Sequence, residues 1–242
     1  MPAIIPNILA VTESGGDSTF FDTDSYSPAA NQTVLLFTYS VQLAVSPPPA
    51  IPTVSGNGLT WVLVASQLFA HGGTDRSRLT IYRGLSATPS VGSTRVTYPT
   101  TQLRHATTVI EFQNTNISNP IVGTPPSEQD DPGTLSPSIV LPTAEDIANA
   151  TFGILSYGNP NPAIVPGVGI SLLQNNPTAE GGGVQVQWTQ APVTLMDWTL
   201  SDIADAQAQI GIELRNATPD PGPAGPQVQG RPAFVSGNLI VG

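Results

Sequence analysis

The sequence predicts an all-β protein, a β-sandwich built from two degenerate repeats that share one core. Apolar residues make up 39% of the 242 residues, which is enough for a substantial core, while charged residues make up only 10%. The 25 prolines and 23 glycines favour short strands joined by turn-rich loops. Runs of alternating apolar and polar residues recur between these breakers, and apolar residues at helical spacing are nearly absent.

The first half of the chain contains five strand-like segments. The first is strongly apolar and ends at the proline-rich breaker 46–52. The second begins at the turn-forming pair Asn57-Gly58, and the third alternates so that Leu79 and Ile81 share one face. The segments are TVLLFTYSVQ (33–42), GNGLTWVLVASQLF (56–69), RLTIYRG (78–84), STRVTYP (93–99) and HATTVIEFQN (105–114).

The second half repeats these segments in the same order. Its first segment also ends at a proline-rich breaker, and its last places Glu213 and Leu214 where the first half has Glu111 and Phe112. Because a half of this size is small for a stable domain, we expect the two halves to share one core. The segments are ATFGILSYG (150–158), GVGISLLQN (167–175), GGVQVQWTQ (182–190), MDWTLS (196–201) and AQAQIGIELRN (206–216).

These repeats define the expected organisation of the chain. A β-sandwich is expected between two extended, proline-rich termini. The expected divisions are an N-terminal arm or first strand (1–29), the sandwich (30–216) made of half one (30–126), an acidic linker (127–146) and half two (147–216), and a C-terminal Pro/Gly-rich arm ending in a strand-like segment (217–242).

Composition excludes several classes of function. The net charge is −10, with no lysine and seven scattered arginines, whereas a protein that neutralises phosphates needs clustered basic residues. We therefore expect no nucleic-acid partner. The chain has no cysteine, so it forms neither a disulfide framework nor a thiolate metal site.

The N-terminal sequence MPAIIPNILAV does not predict a signal peptide. It lacks a basic region and is interrupted by Pro2 and Pro6. No apolar run approaches the length of a membrane span, so no membrane partner is expected. A protein of this kind that works outside the cell would be released by lysis, for example inside a virus particle.

Three tryptophans raise a choice between core packing and ligand binding. Trp61, Trp188 and Trp198 all lie in strand-like segments, where aromatic side chains usually pack. Trp61 aligns with the apolar Ile170 of the second half, which favours a core position. Both faces of GLTWVLVAS carry apolar side chains, however, so a platform for a glycan made of these tryptophans stays open as the alternative.

The segments VSGNGLTWVLVASQ, RLTIYRGLSATPSVGSTRVTY, ATTVIEFQNTNISNPIVGT and GVQVQWTQAPVTLMDWTLSDIADAQAQIGIELR resemble a module common in tailed-phage and actinobacterial open reading frames. In that module a GLTW strand precedes an R-L-x-I-Y/W-R strand, an EF strand and a second half that ends in an alternating strand. The resemblance covers roughly residues 30 to 216. It implies a jelly-roll-like β-sandwich used for adhesion, decoration or carbohydrate binding, and it carries no catalytic residues.

The resemblance implies a non-enzymatic structural virion protein, namely a capsid decoration, tail or fibre component of a tailed phage. Such a protein is located in the extracellular particle and assembled in the host cytoplasm. Its expected partners are copies of itself and other virion proteins, and no cofactor is expected. The alternative is a carbohydrate-binding or adhesion module that recognises a surface glycan through exposed aromatic rings. The two roles are compatible, because a phage surface protein can also bind host glycans.

Few residues are candidates for catalysis. His71, Asp75 and Ser77 lie close together in a polar hairpin tip, but no G-x-S-x-G nucleophile elbow occurs. Glu111 and Glu213 occupy equivalent positions, and a glycosidase requires two facing carboxylates. The repeat already explains this coincidence, and both side chains are predicted to face solvent. Two histidines without cysteine are too few ligands for zinc, so we predict that the chain is not an enzyme.

Two acidic loops offer the oxygen ligands that calcium prefers. Neither matches an EF-hand, and acidic loops are usually only solvated. The weak candidates are Asp17, Asp22 and Asp24 in GGDSTFFDTDSY, and Glu128, Asp130 and Asp131 in SEQDD.

The C-terminal arm combines an extended spacer with an apolar end. Residues 217–232 are rich in Pro and Gly and cannot sustain a helix or a central strand. The end AFVSGNLIVG is too apolar for a free tail, so it either folds back onto its own sandwich or docks on a neighbouring subunit. The predicted docking residues are Phe234, Val235, Leu239, Ile240 and Val241.

Overall fold

A computed structural model provides the structure of the protein. It describes residues 2–42, 48–71, 75–130, 133–158, 161–179, 181–203 and 206–217, with the backbone alone at 70, 71, 75, 129 and 130. Over these residues the chain forms sixteen β-strands and no helix, which confirms the all-β prediction. Within the same ranges, no helix with the length and hydropathy of a membrane span occurs.

The first eight strands form two antiparallel sheets, together called the first unit. They are β1 (Ile5–Ser14), β2 (Ser18–Asp22), β3 (Thr33–Gln42), β4 (Thr53–Gly56), β5 (Thr60–His71), β6 (Asp75–Leu85), β7 (Thr94–Gln102) and β8 (Arg104–Gln113). The first large sheet has the order β1-β8-β3-β6-β5, and the first small sheet has the order β2-β7-β4. The apolar run 33–42 is the central strand β3, which is buried along its whole length.

The remaining eight strands form the second unit. They are β9 (Ser127–Asp130), β10 (Ser138–Val140), β11 (Ala150–Tyr157), β12 (Ile164–Pro166), β13 (Ser171–Pro177), β14 (Gly183–Thr189), β15 (Leu195–Leu200) and β16 (Gln207–Leu214). The second large sheet has the order β13-β14-β11-β16-β9, and the second small sheet has the order β10-β15-β12. Adding eight to each strand number of the first unit reproduces both orders, and the central β11 is again buried throughout.

Three apolar cores lie between the four sheets. The central core lies between the two large sheets, because alternate residues of β3, such as Leu35 and Phe37, meet Phe152 and Ile210 of the second unit. The opposite face of each large sheet packs on the small sheet of its own unit. The layers are therefore small, large, large and small, and each large sheet is covered on both faces; the face of the second large sheet toward its small sheet also buries polar side chains such as Gln185 and Gln209.

The segment expected to be an arm or first strand and the segment expected to link the two halves both contribute strands to the sheets. Residues 1–29 include β1 and β2, which pair with β8 and β7. Residues 127–146, expected to be a linker, include β9 and β10, which pair with β16 and β15. The reason is apolar burial, since Ile139 of this segment belongs to the core of the second unit. The polar composition of residues 127–131 gave no indication that this segment forms a strand.

The central core generates a prediction about cooperativity. Phe152 contacts Phe112 of the other unit edge to face, with ring centroids 4.7 Å apart. We expect Phe152→Ala to lower the free energy of unfolding by about 3–5 kcal/mol while a single transition is kept, because both units lose the same core. Chemical denaturation followed by circular dichroism and by tryptophan fluorescence measures this. Two separated transitions, of which only one shifts, would show independently stable units.

Candidate interaction surface

The two equivalent glutamates are buried, so the prediction that they face solvent is wrong. Glu111 is 3% exposed and Glu213 is 8% exposed. Glu111 accepts a hydrogen bond from the backbone N–H of Ala29 at 2.6 Å. Glu213 accepts one from the backbone N–H of Glu145 at 3.0 Å and one from the Asn149 amide at 2.6 Å. Each carboxylate therefore holds the segment that leads into the central strand of its own large sheet.

The two carboxylates also lie on opposite sides of the molecule. Glu111 is opposite Val34 in the register, on the face toward the first small sheet. Glu213 is opposite Thr151, on the face toward the second small sheet. The central core separates them, so they do not form the facing pair that a glycosidase uses. Alternation misled the sequence analysis because a strand covered on both faces has no solvent side.

The anchoring role of Glu111 is testable by substitution. Glu111→Ala leaves the N–H of Ala29 without its charged acceptor, and we expect a loss of about 1–3 kcal/mol in the free energy of unfolding. The control is Glu128→Ala, because Glu128 is exposed and surface substitutions usually change stability by less than about 0.5 kcal/mol. Urea denaturation compares the two variants. Equal effects would exclude the anchoring role.

The described residues show no catalytic site made of His71, Asp75 and Ser77. His71 and Asp75 pair in the backbone register at the ends of β5 and β6, and their side chains lie outside the described part. Ser77 is buried, and it lies opposite Val41, which faces the central core. Its hydroxyl therefore points away from solvent.

The other histidine, His105, is buried within a polar network. Its ring stacks on Phe21 with centroids 4.2 Å apart. Its Nδ1 lies 3.2 Å from the Tyr98 hydroxyl, and its Nε2 lies 2.5 Å from the Thr107 hydroxyl. Burial lowers the pKa of His105 to about 3, so the ring is neutral near pH 7 and serves as a structural hydrogen-bonding group.

The lowered pKa of His105 predicts a dependence of stability on pH. The unfolded chain binds the proton more tightly, because the ordinary pKa is 6.5 and the folded pKa is about 3. The contribution of His105 is complete above pH 6.5 and is lost as the pH falls toward 3, by up to about 1.4 kcal/mol per pH unit. Unfolding free energies between pH 8 and pH 4 test this against His105→Gln, which cannot titrate. Identical slopes for both proteins below pH 6.5 would contradict it.

The acidic side chains predicted as calcium ligands either form other contacts or are not grouped around one position. Asp22 forms a bidentate pair with Arg95, with distances of 2.7 and 2.6 Å, and this hydrogen bonding lowers the pKa of Asp22. Asp17 and Asp24 are exposed. In the described residues no three His, Asp or Glu side chains are grouped to hold a metal ion. Of the second cluster, Glu128 is exposed, whereas Asp131 and the side chain of Asp130 lie outside the described part.

The side chains of the three tryptophans pack against other residues of the fold. Trp198 is buried in the core of the second unit, and a Cβ at Gly153 would lie 3.0 Å from its ring. Trp188 is half-buried and stacks on Phe152 at 5.9 Å. Trp61 is also half-buried, and its ring lies against Gly84, where a Cβ would approach to 2.9 Å. This arrangement agrees with the core interpretation of Trp61.

The solvent side of the second small sheet carries three exposed apolar side chains together with Asp197 and Thr199, and we call it the outer face of the second unit. Val140 and Leu195 are directly paired across β10 and β15 and are 61% and 47% exposed. Val165 on β12 is 60% exposed. The equivalent face of the first unit is more polar: Thr53 is paired to Thr97, Asp22 forms an ion pair with Arg95, and the 46% exposed Phe20 lies beneath the Arg95 guanidinium, 4.3 Å from its ring centroid. Sequence reasoning missed this contrast, although alternation in LMDWTL (195–200) already separates inward Met196 from outward Leu195.

A second apolar surface lies along the edge strand β5. Val62 and Leu63 are largely exposed there. A groove of about 230 Å³ separates this edge from the connector that precedes β9. Its lining includes Val62, Leu63, Val64, Arg83, Ile121 and Pro125. The predicted docking residues Phe234, Val235, Leu239, Ile240 and Val241 lie outside the described residues.

Comparison with known proteins gives no match: no family model, no curated protein and no solved structure is significantly similar to the chain. The resemblance to phage and actinobacterial modules therefore stays a prediction from the sequence.

Proposed function

We propose that this chain is a non-enzymatic structural virion protein of a tailed phage, a capsid decoration, tail or fibre component that acts through protein–protein contacts. The observation that carries the proposal is the outer face of the second unit, where Val140, Leu195 and Val165 are exposed on adjacent strands. Val140 and Leu195 are directly paired, and neighbouring exposed apolar side chains of this kind are typical of interaction sites in soluble proteins. The partners proposed are further copies of the chain and other virion proteins.

The proposal includes a duplicated, jelly-roll-like unit. Eight strands in two sheets suit that architecture, and the strand order of the first unit recurs in the second. A register shift at Leu63/Ala65 of β5 recurs at Leu172/Gln174 of β13. The two buried glutamates anchor equivalent segments. These likenesses favour descent of both halves from one ancestral unit.

The packing of the two units resembles a symmetric dimer joined into one chain. Strand β5 packs beside β9 and β16, and its counterpart β13 packs beside β1 and β8. These contacts exchange when the units are exchanged, as in a two-fold interface. A duplicated protein of this kind starts with two identical outer faces. The outer face of the second unit now exposes Val140, Leu195 and Val165, whereas that of the first exposes an ion pair and Phe20 beneath Arg95, and this difference supports selection for a partner on the side of the second unit.

The polar groups with catalytic potential are committed to the fold, which supports a non-enzymatic role. Glu111 and Glu213 each anchor a backbone segment, and His105 is neutral inside its hydrogen-bond network. The carbohydrate-binding alternative relies on open aromatic faces. Trp61, Trp188 and Trp198 instead contribute to packing, so the protein–protein role is the better supported.

The outer face is tested by placing a charge on it. Leu195→Lys is expected to weaken association with partner chains roughly tenfold or more, because it puts an unpaired charge in an apolar contact. The matched control is Ser93→Lys, at the equivalent exposed position of the first unit. Sedimentation velocity over a range of concentrations measures self-association. Proteomic analysis of particles purified from the source culture measures incorporation into virions.

A chain that is monomeric at every concentration and absent from particles would contradict the proposal. Equal effects of Leu195→Lys and Ser93→Lys would exclude the outer face as the contact surface. Retention of normal melting temperatures in both variants is required for either comparison.

A further inference from the structure

Edge strand β5 is the least protected free edge of the two large sheets. Edge strands invite pairing with other chains, and proteins protect them with proline, charge, bulges or short length. Strand β1 contains Pro6 and Glu13, β13 ends in Pro177, and β9 has only four residues. Strand β5 has twelve residues and contains a bulge, as β1 and β13 also do, but it has no proline and no Asp, Glu, Lys or Arg. It is thus the edge most suited to accept another strand.

The groove beside β5 adds side-chain recognition to this open edge. Val62 and Leu63 form one wall, and Ile121 and Pro125 of the connector form the other. The connector does not pair with β5, because its backbone groups are used by β16: Val122 donates to Glu213, and Arg215 donates to Pro120. Arg83 also lines the groove.

The chain leaves the described structure beside this groove. Ala217 donates to the carbonyl of Asn114. Arg215, two residues earlier, donates to the carbonyl of Asn119 at 2.8 Å, and Asn119 lines the groove. Residues 218–232 form the Pro/Gly-rich spacer, and residues 233–241, AFVSGNLIV, carry no charge. This uncharged, apolar segment complements the uncharged β5 edge.

The first unit shows how a segment that follows the last strand of one unit can join the large sheet of the other unit. After β8, residues 114–126 cross to the second unit, and β9 then adds to the large sheet there beside β16. The equivalent place for the segment after β16 is beside β8. That place is occupied by β1, so the segment that follows β16 must use a different edge.

We propose that residues 233–241 of a neighbouring copy add as a strand to β5 and fill the adjoining groove. The inference deepens the proposed structural role and rests on it. The spacer 218–232 has fifteen residues and can extend over about 45 Å in polyproline geometry. This reach suits an exchange between subunits. Main-chain hydrogen bonds to β5 provide affinity, and the apolar side chains of Val62 and Leu63 provide recognition.

Cysteine cross-linking tests the position directly, because the natural chain has no cysteine. One chain carries Leu63→Cys and a second, separately purified chain carries Val235→Cys, and the two are mixed under mild oxidation. The matched control replaces Leu63→Cys with Leu172→Cys. Leu172 is 48% exposed compared with 43% for Leu63, and it lies at the corresponding bulge of an edge strand.

We expect the Leu63 pair to form mixed disulfide dimers at least about tenfold more efficiently than the Leu172 pair, because docking raises the effective thiol concentration. Leu63→Arg and deletion of residues 218–242 are both expected to weaken self-association roughly tenfold or more, with unchanged melting temperatures. Leu172→Arg is expected to leave self-association unchanged.

Equal cross-linking of the two pairs overturns the inference. So does cross-linking that occurs only when both cysteines are in one chain, which would mean that the segment folds back on its own groove. If the chain assembles normally without residues 218–242, the structural role stands and this docking mode is wrong. If no form of the chain assembles or enters particles, both proposals fail.

Discussion

The rest of the structure depends on the burial of both faces of two five-stranded sheets. Alternate residues of β3 point to different cores, with Leu35 and Phe37 on one side and Val34 and Leu36 on the other. Burial of an apolar side chain contributes about 1.5–3 kcal/mol, so neither large sheet is stable with one face in water. Each unit therefore requires the other. Several polar residues within these sheets are accordingly buried, and Glu111 and Glu213 among them hold backbone segments in place.

The sequence predicts the positions of most strands, but it predicts less well which faces of those strands are buried. The five pairs of segments all form strands, because breakers such as SPPPAIP and Asn57-Gly58 mark their ends. The role of 127–146 was missed, because β9 and β10 are short and lie in polar, proline-rich surroundings. Glu111 was placed on the wrong side because alternation defines inside and outside only for a strand with one solvated face.

The candidate surfaces were harder to predict from the sequence than the fold. Val140 and Val165 look like ordinary strand residues, and only the pairing of β10, β15 and β12 brings them together with Leu195 on one face. Similarly, the groove at Leu63 exists because the connector crosses from one unit to the other beside β5. Contacts between residues far apart in the chain create both surfaces, so local patterns do not reveal them. Duplication also allows one copy of a surface to change while the other keeps its original role.

The order of the strands in the central core has a consequence for biosynthesis. The core needs Ile210 and Ile212 of β16, the last described strand, as well as Leu35 and Phe37 of β3, one of the first. At 5–20 residues per second, the ribosome takes roughly ten to thirty seconds to proceed from Gln42 to Gln207. During this interval one face of the first large sheet has no partner within its own chain. The nascent protein is therefore exposed to misassembly between neighbouring ribosomes, and its yield in a cell depends on chaperone capacity as well as on final stability.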